Sequence, residues 1–187
     1  ANWKMNGSKA VAREYKKQVE DSIRGKGVKL VVCPPLIYME LLSSGLYSLG
    51  AQDVSQFFPY GSHTGEVSAP MLLDNGCEYV IIGHSERRAL DSVAVVKAKI
   101  DAARRQGLRV ILCVGESDEE RKQGKHLEAI ASQIDELLGV NIEGIHIAYE
   151  PTWAVGTGRV IKVEELVEVA DFIIKILLSK AERLNED

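Results

Sequence analysis

The sequence has no apolar run long enough to span a bilayer, so no helical membrane protein is expected. Its first residues lack a charged segment followed by an apolar stretch, the pattern of a secretory leader. Lysine and arginine are scattered among aspartate and glutamate, and the net charge is −4. No basic block therefore offers the electrostatic footprint of a nucleic-acid binder. Cysteine is sparse: Cys33, Cys77 and Cys113 make an odd number with no C-x-x-C spacing. That argues against a disulfide framework or a zinc site and fits a reducing compartment, so a soluble cytoplasmic protein is expected. Low-complexity tracts and interdomain linkers are missing as well. A length of 187 residues then fits one buried core, and a single domain over 1–187 is expected.

What is present is a regular alternation. Short β-branched runs recur at 29–33, 50–54, 79–83, 109–114 and 144–149. Most are continuously apolar, as parallel strands covered on both faces are. Helical periods lie between them. Val11, Tyr15, Val19 and Ile23 share one face, and so do Leu166, Val169, Ala170, Ile173, Ile174 and Leu177. Residues 92–106 and 118–138 read as charged amphipathic helices closed by Gly107 and Gly139, and 55–64 as a loop broken by Pro59 and Gly61. Strand–helix alternation predicts a parallel sheet with right-handed crossovers. A closed barrel and an open doubly wound sheet both satisfy it. The glycine-rich dinucleotide fingerprint is missing after every strand, which weakens the second.

The informative residues fall at the C-terminal ends of these strands, where barrel active sites are built. One strand ends in Asn2-Trp-Lys-Met-Asn6, another in Gly83-His-Ser-Glu-Arg-Arg88, and a third runs from Ala148 through Glu150 to Gly158. Parallel strands would bring Lys4, His84 and Glu150 to one rim. Such a trio suits proton transfer beside a carbonyl: a carboxylate takes the proton, an imidazole donates to the oxygen, and an ammonium holds the developing charge. Ser85-Glu-Arg-Arg88 can open a short helix whose positive end favours a neutral His84 ring. Pro151-Thr-Trp-Ala-Val-Gly-Thr-Gly158 begins rigid and ends permissive, a composition suited to a lid that excludes water.

These segments, with Thr64-Gly-Glu66 and Cys113-Val-Gly-Glu116, closely resemble the triosephosphate isomerase family from Asn2 to the lid. The resemblance implies an α/β fold, the (β/α)8 TIM barrel, of which about six strand–helix units are present. It implies interconversion of dihydroxyacetone phosphate and D-glyceraldehyde 3-phosphate through an enediolate, in glycolysis and gluconeogenesis. Glu150 would be the base, His84 the electrophile, Lys4 a holder of negative charge and Asn2 a substrate-positioning residue. Ser85 and Glu86 would stand behind them, Glu86 holding Lys4 or His84, and Cys113 would pack behind the base. The Gly156 N–H would grip the substrate phosphate as the lid closes, and Thr64 would reach a neighbouring subunit in a homodimer. No metal or organic cofactor is implied.

Taken singly, His84 and Glu150 read as hydrogen-bonded structural residues; together at one sheet edge they read as catalysts. Cys33, Cys77 and Cys113 read as packing residues, Arg87 and Arg88 as ion-pairing residues, and the run 116–125 as a solvated helix face. The resemblance implies eight units, whereas strands seven and eight, with their Gly-Gly phosphate loops, have no counterpart here; no Gly-Gly dipeptide occurs. The segment expected soon after Arg88 and the opening of the first strand are also short. Two readings follow: an inactive truncated barrel acting as a binding or assembly module, or a sequence from which segments are omitted. We expect the second. A related barrel isomerase acting on another phosphorylated carbonyl compound is the remaining alternative, which the lid motif disfavours.

Overall fold

A computed structural model describes residues 1–138 and 142–184. Seven α-helices and five strands alternate among them: α1 Lys9–Ile23, β1 Val31–Val32, β2 Ser48–Ala51, α2 Ala69–Asp74, β3 Cys77–Ile82, α3 Ser85–Arg88, α4 Val93–Arg105, β4 Arg109–Val114, α5 Asp118–Lys122, α6 His126–Leu138, β5 Ile145–Tyr149 and α7 Val163–Leu184. Two single 3-10 turns, Leu36–Tyr38 and Glu40–Leu42, follow β1. The chain forms two compact units, Ala1–Ile82 with Ala98–Ile111, and Gly83–Lys97 with Leu112–Asp187. Gly139, expected to close a helix, lies outside the described residues.

In the first unit β1, β2 and β3 pair in parallel, Val31 opposite Ser48 and Ala51 opposite Val80. Asn2 adds a parallel bridge to Cys33. The register slips at Leu49/Gly50, and Gly50 is needed there because a Cβ would stand 2.6 Å from the Cys33 Sγ. The apolar β3 run is buried at every position but Glu78, as a strand covered on both faces should be. Helix α1 starts at Ser8, whose side chain accepts from the Val11 N–H. Its inner face includes Tyr15, Val19 and Ile23 of the expected stripe, each half-buried, but opens with the fully buried Ala12 in place of Val11, which is exposed. The small Ala12 permits closer approach than valine does, and α1 packs on the turn at Glu40–Leu42. From α4, Lys99 reaches Asp53 with both carboxylate oxygens at 2.9 Å, so this buried ammonium is paired.

In the second unit the closing residues of β4 lie beside β5, and α6 packs on α5 and α7. The helix expected over 118–138 is two helices. Ser117 and Glu120 form a reciprocal cap on α5, and Gly124, at φ +71°, ends that turn before α6 begins. Along α7, Val169 and Ile173 are buried, while Leu166, Ala170 and Ile174 are exposed. The apolar stripe is thus wider than the face that packs. Among the described residues no helix is long and apolar enough to cross a membrane.

All three cysteines are free and buried. Burial pushes the Cys33 thiol up to about 11, against a small opposing pull from the N-terminal ammonium. Burial and the neighbouring Cys33 push Cys77 up to about 12, and burial, Glu20 and Tyr15 do the same for the Tyr47 phenol. Each group holds its proton more tightly when folded. Their contribution is therefore complete below the ordinary values of 9.0 and 10.0 and fades as pH rises toward the folded values. The urea midpoint should fall progressively above about pH 9; a midpoint that stays flat to about pH 11 would contradict this account.

Candidate active site

In the first unit the amino-terminal segment is held in an unusual shape. Lys4 has φ +52°, the one non-glycine left-handed residue among those described. A lysine adopts this conformation only where its surroundings over-determine it. The Asn2 Oδ1 accepts from the Lys4 N–H at 2.9 Å. Gln52 donates from Nε2 to the Lys4 carbonyl at 3.0 Å and to the Cys33 carbonyl at 2.9 Å. Asn2 therefore shapes the backbone that carries Lys4. Gln52 does the same and went unnoticed in the sequence, because its partners are main-chain atoms. Thr64 is exposed on a turn, beside a loop in which Phe57 and His63 stack at 3.6 Å.

In the second unit the structure brings His84, Ser85, Glu86 and Glu150 together. His84 is 4% exposed and caps α3, its Nδ1 accepting from the Glu86 N–H at 3.2 Å. With that nitrogen acting as acceptor, the proton of the neutral ring resides on Nε2. Nε2 faces the Glu150 Oε1 at 3.1 Å. The other carboxylate oxygen, Oε2, lies 3.4 Å from both the N–H and the hydroxyl of Ser85. Glu86 fixes the ring through its backbone; its carboxylate stands 3.7 Å from Nδ1. Among the described residues Arg88 is held by main-chain carbonyls and not by the ion pair expected. It donates from Nε to the Gly83 carbonyl at 2.6 Å and from Nη2 to the Cys113 carbonyl at 2.7 Å, and its burial lowers its pKa. Arg87 does pair, with Asp91 at 3.6 Å. Cys113, Arg88 and Ser85 line a cavity of about 20 Å³ that Glu150 also borders.

The segment carrying Glu150 is seated against the end of β4. The Glu150 N–H donates to the Val114 carbonyl at 2.8 Å, and the Thr152 N–H to the Glu116 carbonyl at 3.0 Å. Between those two rungs lies Gly115, where a Cβ would fall 2.0 Å from the Glu150 carbonyl oxygen. Glu116, expected on a solvated face, is fully buried. Its carboxylate accepts from the Trp153 indole at 2.8 Å and from the Tyr149 hydroxyl at 3.1 and 3.2 Å. Arg121 pairs with it at 3.1 Å. Burial, then the Glu116 charge, raises the Tyr149 pKa, so the phenol remains a donor. A buried carboxylate with this many partners is a structural anchor. The place of Glu116 in the motif Cys113-Val-Gly-Glu116 was the signal that could have found it.

The expected lid leaves Glu150 through buried Pro151 and Trp153 and continues to exposed Gly156 and Gly158, both at positive φ. Thr157 donates to the Trp153 carbonyl at 2.9 Å. Arg159 lies over the Trp153 ring at 4.6 Å and reaches Asp118 at 2.7 Å. Lys122 and Arg159 together hold the Asp118 carboxyl below its ordinary range. Among the described residues no group of His, Cys, Asp and Glu could hold a metal ion.

The family model described as triosephosphate isomerase matches residues 1–187. Proteins named triosephosphate isomerase from Shewanella sp. (strain W3-18-1) and Shewanella baltica (strain OS155 / ATCC BAA-1091) are each 43% identical to this chain over 193 aligned positions, covering 94% of it and 74% of their own length. Another protein of that name, from Shewanella denitrificans, is 42% identical with the same coverage.

Replacing Gly115 by alanine forces a methyl group into the Glu150 main chain. We expect Gly115→Ala to lower stability by about 1–3 kcal/mol, measured by urea unfolding. An unchanged midpoint would mean that the two strands separate without cost.

Proposed function

Because the chain belongs to the triosephosphate isomerase family, we infer that it interconverts dihydroxyacetone phosphate and D-glyceraldehyde 3-phosphate by proton transfer through an enediolate. The family fold is the (β/α)8 TIM barrel, and the alternating strands and helices of this chain are about five to six of its units.

One observation carries the mechanistic reading: the Nε2–H of His84 and the carboxylate of Glu150 face each other at 3.1 Å. A substrate carbonyl inserted between them would meet a donor on one side and a base on the other. Glu150 takes the proton from the carbon next to the carbonyl. The electron pair of that C–H bond becomes the carbon–carbon double bond of the enediolate, and negative charge collects on the oxygen facing Nε2–H. Proton return to the adjacent carbon, with exchange between the two oxygens through His84, completes the isomerisation. Acid–base groups alone balance these steps, with neither metal nor organic cofactor.

Other assignments belong to the same proposal. Lys4 supplies ammonium charge to the phosphorylated, anionic substrate, and Asn2 sets the backbone from which it projects. Ser85 is a resting partner of the Glu150 carboxylate, and Gly156 offers its N–H to the phosphate as the lid closes, a motion this family is known for. Cys113 and Glu86 support the base and the imidazole. Thr64 contacts the second subunit of a homodimer in the cytoplasm, with no membrane or nucleic-acid partner. The alternative of an inactive binding module gains nothing from a site in which acid and base already face each other.

The test is a coupled isomerase assay of the protein and of Glu150→Gln, which keeps the shape and removes the base. Turnover by the parent and a fall of roughly 10²–10⁴-fold in the variant are expected. Equal rates would remove Glu150 from the mechanism. Sedimentation of the full protein should give twice the chain mass; a monomer at working concentration would sink the Thr64 contact.

A further inference from the structure

The two rungs that seat Glu150 use the carbonyls of Val114 and Glu116. Polar groups alternate sides along an extended chain, so those of the intervening Gly115 point the other way. Buried main-chain groups need partners. Here both partners come from one side chain on α6. The Gly115 N–H donates to the Gln133 Oε1 at 3.1 Å, and the Gln133 Nε2 donates to the Gly115 carbonyl at 2.9 Å. The amide thus does what a neighbouring strand would do, making the two bonds of one ladder position just past the end of β4. On the opposite side Gly115 has no room to yield, since a Cβ there would meet the Glu150 carbonyl oxygen. Gln133 is fixed in turn, because Ile130, one turn earlier on the same helix, is fully buried.

We propose that Gln133 is a positioning residue for the catalytic base: by clipping Gly115 from behind, it fixes the surface on which the Glu150 main chain rests. The inference relies on Glu150 being the base, and it adds the element that holds that base at its working distance from His84. An apolar side chain of similar length would fill the space, leave both Gly115 groups without partners and let the end of β4 drift. Displacement of a reacting group by tenths of an ångström acts on turnover rather than on substrate binding.

Steady-state kinetics on the full protein, Gln133→Met, Gln133→Glu and the control Ile134→Val provide the test. For Gln133→Met, kcat should fall roughly ten- to a hundredfold with KM changed by less than about threefold. Ile134→Val, which thins the same helix interface without touching Gly115, should keep both constants. In Gln133→Glu the introduced carboxylate accepts from the Gly115 N–H but opposes the carbonyl, whereas its protonated form restores donor and acceptor. Its kcat relative to the parent should therefore recover as pH falls. A Gln133→Met enzyme with kcat within about twofold of the parent, or a fall matched by Ile134→Val, overturns the proposal. Absence of isomerase activity in the parent would refute the family reaction for this chain instead. In that event the ¹⁵N shift of His84 Nε2, which senses the Glu150 carboxylate, decides the positioning claim: a shift in Gln133→Met upholds it, and an unmoved resonance overturns it.

Discussion

Everything at the candidate site rests on one close backbone approach, that of residues 114–116 to residues 150–152. Two main-chain rungs join the segments, and the absence of a side chain at Gly115 lets the Glu150 carbonyl come in where a Cβ would be. A carboxylate on a free loop would sample many positions. Here the residue that bears it is part of the sheet edge, so only its side-chain torsions remain to be chosen. The ring opposite is restrained in a different way, through a hydrogen bond from the first turn of α3 to Nδ1. The imidazole and the carboxylate are thus each set by main-chain geometry, a more exact support than side chains give one another.

Just behind this contact lies a buried charge. Glu116 is enclosed by the indole of Trp153, the phenol of Tyr149 and the guanidinium of Arg121, two of which flank Glu150 in the chain. Removing any one would leave a carboxylate short of partners in a dry place, a costly state. The same group restrains the start of the segment 151–158. Beyond Trp153 a hydrogen bond from Thr157 holds the turn, and Arg159 adds a surface ion pair and a ring contact; surface pairs contribute little to stability. Residues 151–158 are therefore firmly rooted at the proline end and more lightly held at the glycine end.

Legibility in the sequence followed the physics of each feature. β4 agrees with its apolar run because a strand buried on both faces leaves a plain trace. β2 sits two residues earlier than its run, since Gly50 belongs to a slip in register and Gln52 turns its amide to neighbouring carbonyls. The break between α5 and α6 was hidden because charged residues continue across it and only Gly124 marks the turn. His84, Glu150 and Lys4 stood out by their chemistry. Gln52, Gly115, Glu116 and Gln133 did not, for their partners are backbone atoms or residues distant in the chain. A glutamine that completes a ladder has no period and no neighbour to announce it.

The left-handed backbone of Lys4 has one more implication. On the function proposed above, position 4 is a place where comfort and chemistry pull apart: glycine would adopt the same torsion freely, while lysine at φ +52° strains the chain to present a cation. Libraries selected only for thermal resilience should drift toward glycine there, and those selected for turnover should keep the amine. That opposition, concentrated at a single residue, marks the position as one where activity and robustness are exchanged.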